Sequence, residues 1–146
     1  MNFNKRTYTL LLLALSAILF LNCGDDEPPP QPTDQEMALE RLEGQWTFGS
    51  SGGITRDGQD VSLNYPGFSL SFTAGTYQTQ NGGDLFSTSG TWQWANDEAR
   101  LISLDSGVQL TISTLTETDF QFSFTFAGSG GVAAGTSGVY VVTLEK

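Results

Sequence analysis

No histidine occurs among the 146 residues, and the one cysteine is Cys23. The commonest general base is thus absent, and so is a frequent zinc or copper ligand. Ser/His/Asp and Cys/His nucleophilic catalysis are excluded. Ser–Lys chemistry fares little better, because beyond residue 22 the only lysine is the terminal Lys146. Carboxylate chemistry remains. Asp57, Asp60, Asp84, Asp97, Glu98, Asp105, Glu117 and Asp119 are the candidates for a glycosidase pair. Nearly all of them fall in predicted turns, where Asp serves local hydrogen bonding. Asp57-Gly58-Gln59-Asp60 offers hard oxygen ligands for calcium, but its spacing fits no EF-hand loop. No glycine pattern of a P-loop or dinucleotide site follows a strand and opens a helix. The expectation is a protein that is not an enzyme and has no metal and no cofactor.

The placement of Cys23 is more telling. A basic start, Lys5-Arg6, leads into an apolar run from Tyr8 to Leu21, and Cys23 follows at its end. The run is about 14 residues, short of the ~20 that a spanning helix needs, so it reads as a secretory h-region. After it comes Gly24-Asp25-Asp26-Glu27, then Pro28-Pro29-Pro30-Gln31-Pro32. This arrangement resembles a bacterial lipoprotein signal peptide, although Phe20 and Asn22 stand where the usual pattern has Leu and Ala or Gly. The resemblance implies cleavage before Cys23 and lipidation of that residue. The acidic run is similar to the export signal of Bacteroidota lipoproteins, which implies an outer-membrane protein facing outward. An uncleaved signal anchor is the alternative. One acyl chain holds a protein to a membrane only marginally, whereas the two or three implied here anchor it stably.

Three segments follow: a signal peptide over 1–22, an acidic, proline-rich tether over 23–35, and a folded domain over 36–146. The 16 acidic residues all lie beyond residue 22, against four cationic ones (Arg41, Arg56, Arg100 and Lys146), a balance of −12. Such an excess argues against a nucleic-acid partner, whose phosphates need Lys and Arg. The prolines fix an extended path at ~3.1 Å per residue, so the tether reaches roughly 35 Å. A lone cysteine leaves no disulfide, and the fold must stand on its core.

Thr33-x-x-Glu36 has capping-box spacing, and Met37, Ala38, Leu39 and Leu42 follow, so a short helix is predicted over 34–43, ended at Gly44. Beyond it the period is two. Phe68-Ser-Leu70-Ser-Phe72, Val108-Gln-Leu110-Thr-Ile112 and Phe120-Gln-Phe122-Ser-Phe124-Thr-Phe126 each alternate apolar with Ser, Thr or Gln. Alternation puts one face toward a core and the other toward water, as in antiparallel sheets. Asp57-Gly58, Pro66-Gly67, Asn81-Gly82-Gly83, Asn96-Asp97 and Asp105-Ser106-Gly107 mark turns. Strands are predicted near 45–56, 68–73, 76–80, 90–95, 100–104, 108–115, 120–127 and 138–145. The first is interrupted by a bulge at Gly49-Ser50-Ser51-Gly52-Gly53. Eight sequential strands give an all-β fold, an eight-stranded antiparallel up-and-down barrel, with a β-sandwich as the alternative.

Leu42-Glu43-Gly44-Gln45-Trp46, directly after the helix, and Gly90-Thr91-Trp92 in mid-chain carry a further resemblance. Over residues 39 to 146 the chain is similar to lipocalin-like lipoproteins of the Bacteroidota type. The resemblance implies a barrel that holds small apolar ligands, with Trp46 closing its floor beneath an arginine near the last strand. Here that strand runs Val139 to Lys146 and holds no arginine.

The rings and apolar chains expected inside are Trp46, Phe68, Leu70, Phe72, Trp92, Trp94, Phe122, Phe124 and Phe126. They either line a cavity for a small apolar or amphipathic ligand or fill the barrel; eight strands leave room for one or the other. A filled barrel would work instead as a structural or interaction module, engaging protein or glycan through its surface. An exposed aromatic patch with Tyr65, Tyr77 or Tyr140 would then be expected.

Overall fold

The computed structural model describes residues 30–128 and 136–146. The signal peptide, Cys23, the first part of the tether and most of the glycine-rich stretch after Gly128 lie outside the described residues.

Helix α1 spans Asp34–Leu42. The Glu36 N–H donates to the Thr33 hydroxyl at 3.2 Å, and the Glu36 carboxylate accepts the Thr33 N–H at 2.7 Å, closing the box its sequence announced. Ala38 and Leu42 are its buried positions. Gly44, at φ +117°, turns the chain directly into the first strand.

Among the described residues ten strands follow: β1 (Gly44–Thr47), β2 (Gly53–Arg56), β3 (Gln59–Asp60), β4 (Ser69–Thr73), β5 (Thr76–Gln80), β6 (Ser89–Trp94), β7 (Leu101–Leu104), β8 (Gln109–Leu115), β9 (Asp119–Phe126) and β10 (Gly138–Glu145). Their order is β1-β4-β5-β6-β7-β8-β9-β10, and β10 pairs back with β1. Every pairing is antiparallel, so the sheet closes into an eight-stranded up-and-down barrel. Closure removes the exposed edges that an open sheet must protect.

β1 and β2 are two halves of one barrel strand. Thr47 stands opposite Glu145 and Gly53 opposite Thr143, so residues 48–52 face the single Leu144. The chain bulges there, as the glycine-rich spacing predicts. Gly52 fits because a Cβ would lie 2.8 Å from the Thr143 carbonyl oxygen. β3 adds only a two-residue hairpin to β2, around the positive-φ pair Asp57 and Gly58.

The two ends of the barrel differ. One, the floor, carries α1, the turns at 74–75, 95–100 and 116–118, and the C-terminus. The other, the mouth, carries the hairpin at 57–58, the segments 61–68 and 81–88, and the turn at 105–107. A 3-10 turn at Ser62–Asn64 lies in the first of those segments.

Candidate functional site

The alternation of each strand delivers its apolar side chains to the lumen. Trp46, Phe68, Leu70, Phe72, Trp92, Phe122 and Phe124 are buried there, while Trp94 and Phe126 are half-buried and pack against the same cluster. Residues outside that expected set join them: Phe120, Tyr77, Tyr140, Leu85 and Phe86 are all buried.

These rings touch across the lumen. Phe72 on β4 and Phe120 on β9 meet edge to face at 6.0 Å, although three places separate their strands around the barrel. Phe120 also meets Trp46 at 5.3 Å and Phe122 at 4.8 Å. Nearer the mouth, Phe86 comes down from the 81–88 segment. It contacts Phe68 at 5.8 Å on one wall and Phe124 at 5.1 Å on the other. Tilted and edge-on pairs at these separations are favourable beyond their buried area. The lumen is thus bridged by side chains at two levels.

At the floor, the Trp46 indole N–H donates to the Leu42 carbonyl at 2.8 Å, tying the end of α1 to β1. No arginine was found for the place above this ring, but a cation is present. Lys146 Nζ lies 4.5 Å from the Trp46 ring centroid and donates to the Arg41 carbonyl at 2.6 Å. The terminal lysine thereby both faces the tryptophan and caps a helix carbonyl. Trp92 is anchored likewise: its indole N–H is shared between the Thr73 and Thr76 carbonyls, at 2.9 and 3.1 Å.

The mouth is more polar. A cleft of about 190 Å³ opens there between Arg56, Asn64, Tyr65, Asp84, Thr136 and Tyr140. The Tyr140 hydroxyl donates to the Thr136 carbonyl at 2.7 Å. Burial pushes the Tyr65 hydroxyl up to about 12, with help from Tyr140 beside it and from Asp84, against a smaller opposing pull by Arg56. The cleft therefore offers one guanidinium, one carboxylate and two phenols. That set fits a small polar group better than an alkyl chain. Tyr65, Tyr77 and Tyr140 do not form an exposed aromatic patch. All three are buried, because their places in the strands and in the mouth segment point them inward.

Four of the candidate carboxylates, Asp57, Asp60, Asp105 and Asp119, bind backbone N–H or hydroxyl groups, and Asp84 lines the mouth cleft. Asp57 accepts the Val139 N–H at 2.9 Å, and Asp105 accepts the Thr91 N–H at 2.9 Å. Asp60 accepts the Ser62 N–H at 2.9 Å and its hydroxyl at 2.6 Å; the hydroxyl bond, then the backbone bond, hold the Asp60 carboxyl below its usual range. Asp119 accepts the Thr118 hydroxyl at 2.6 Å. Among the described residues, no group of three or more His, Cys, Asp or Glu could hold a metal ion.

No protein family, no curated protein and no solved structure matches this chain.

Proposed function

We propose that this chain is a lipid-anchored, non-catalytic binding module of the outer membrane, a lipocalin-like barrel that binds at its rim and outer surface. The observation that carries this reading is the contact of rings across the lumen, Phe72 to Phe120 and Phe68 to Phe86 to Phe124. Rings in mutual contact occupy the space that an interior ligand would take. Anchoring rests on Cys23 and the apolar run before it. Exposed apolar side chains lie near the mouth: Leu63 is 95% exposed and Val139 49%.

A second reading has its own observation. The cleft between Arg56, Tyr65, Asp84 and Tyr140 suits the polar head of a small amphipathic ligand. One experiment separates the two. The full chain is melted with a series of long-chain fatty acids and, in parallel, tested for retention on cell-surface polysaccharide and protein. Surface binding without a saturable thermal shift supports the first reading. A saturable shift that Arg56→Ala abolishes overturns it in favour of the second. Mass spectrometry of the mature N-terminus tests the anchor: a diacyl or triacyl Cys23 is expected, and an unmodified chain starting at Met1 contradicts it.

A further inference from the structure

The cations of the folded domain are unevenly placed. Arg41 on α1, Arg100 in the turn before β7 and Lys146 at the C-terminus belong to the floor. Arg56, at the end of β2, is the one at the mouth among the described residues. Of the mouth's carboxylates, Asp57, Asp60 and Asp105 accept local hydrogen bonds. Asp84 instead lines the cleft of about 190 Å³ together with Arg56. The two face this space without an ion pair between them.

The walls that hold them are fastened to one another. The Ser62 hydroxyl accepts the Ile54 N–H at 2.9 Å, which ties the 61–68 segment to β2. The Asn81 side-chain amide donates to the Gly67 carbonyl at 3.2 Å, which ties the 81–88 segment to the 61–68 segment. A Cβ on Gly83 would lie 3.1 Å from Tyr65 Cε1, so the residue before Asp84 rests against the Tyr65 ring. A Cβ on Gly138 would lie 2.9 Å from Arg56 Cγ, so the arginine stem crosses the bare start of β10. Beyond burial and the neighbouring Tyr140, Asp84 pushes the Tyr65 hydroxyl up and Arg56 pulls it down, so both act on the same space. The Tyr140 hydroxyl donates to the Thr136 carbonyl, which leaves its oxygen as an acceptor.

A guest with a single charge is attracted by one of these two groups and repelled by the other. A guest that carries both an ammonium and a carboxylate is attracted by both. Its carboxylate fits the planar guanidinium fork of Arg56, and its ammonium fits Asp84 and the Tyr140 oxygen. We propose that the mouth cleft binds a free amino acid, a small zwitterion held by its carboxylate on Arg56 and by its ammonium on Asp84. The cleft is smaller than the ~300 Å³ at which pockets for drug-sized molecules begin, which fits a guest of that size. The rings that bridge the lumen beneath it leave no room for a long tail. The proposal rests on the rim-binding reading above and names a guest for the rim.

The test is a chemical-shift titration of the isotope-labelled full chain with glycine, β-alanine and γ-aminobutyrate, which step the distance between the two charges. Acetate and ethylammonium are the single-charge controls. Each is taken to ~10 mM, which reveals a Kd of about 1 mM or tighter. Saturable shifts are expected with at least one zwitterion, centred on the amides of Arg56, Tyr65, Asp84 and Tyr140. Both controls should bind at least roughly tenfold more weakly, since each meets one repelling group. Arg56 is half-buried and Asp84 exposed. Arg56→Gln and Asp84→Asn should each weaken the best zwitterion at least roughly tenfold. No response to any zwitterion, shifts centred elsewhere, acetate or ethylammonium binding as tightly as the best zwitterion, or unchanged binding by both variants overturns the proposal. The comparison with the controls is read on the unmodified chain and stands even if a variant fails to fold. Retention on polysaccharide or protein without any response to the amino acids loses this guest and leaves the rim-binding reading standing.

Discussion

The floor and the mouth of this barrel are made from the same strands, yet they end differently. At the floor, α1 is pinned by the Trp46 indole, Lys146 covers that ring, and β9 is paired on both sides. At the mouth, the β8–β9 ladder has ended at Thr111 and Ser123, a polar cleft opens beside Tyr65, and Leu63 stands in solvent. The floor is where side chains of distant strands interlock. The mouth is where backbone and polar groups remain available.

The largest expected effect lies in the floor's rings. Phe120 is fully buried against Trp46, Phe72 and Phe122. Phe120→Ala should cost about 3–5 kcal/mol in urea unfolding. Phe126→Ala, half-buried at the mouth, should cost only about 1 kcal/mol. Equal losses would erase the distinction between the two ends. Trp46→Phe keeps a ring but loses the indole donor. It leaves the buried Leu42 carbonyl without that partner and should cost about 1–3 kcal/mol. Lys146→Met removes the cation over Trp46 and should cost about 0.5–1 kcal/mol by the same assay, a loss that salt should not abolish if ring contact dominates.

The smallest effect is spectroscopic and belongs to the mouth. Ultraviolet titration should show Tyr65 ionising near 12, well above a tyrosine in water. Its folded value lies above its unfolded one. The contribution to stability is therefore constant below about pH 10 and falls as pH rises through the folded value. Titration of Tyr65 at an ordinary tyrosine pH would place it in solvent and open the cleft wider than described.

Much of this architecture was legible in the sequence, and the reasons are local. Clean alternation in Phe68–Phe72 and Phe120–Phe126 fixes both the strands and their inner faces. Thr33 and Glu36 fix the start of α1, and Gly49 to Gly53 announce the break in the first strand. The unread parts share a cause. Val139-Tyr140-Val141-Val142 is apolar at every position, so no parity shows that Tyr140 points inward. Leu85-Phe86 sits in a segment with turn residues and no period, and nothing local says that it folds down onto Phe68 and Phe124. Lys146 reaches Trp46 only because barrel closure returns the last strand to the first. That the β8–β9 ladder stops at Thr111 and Ser123 is a matter of pairing, which no single strand's composition records.

Residue-resolved amide hydrogen exchange on the full chain tests the contrast between the two ends most directly. The account predicts the slowest exchange at Phe120 and Leu144, which face each other in the β9–β10 ladder near the floor, and fast exchange at Gln109 and Thr125 beyond the end of the β8–β9 ladder. Uniform protection around the barrel, with Gln109 and Thr125 as slow as Phe120, would contradict it.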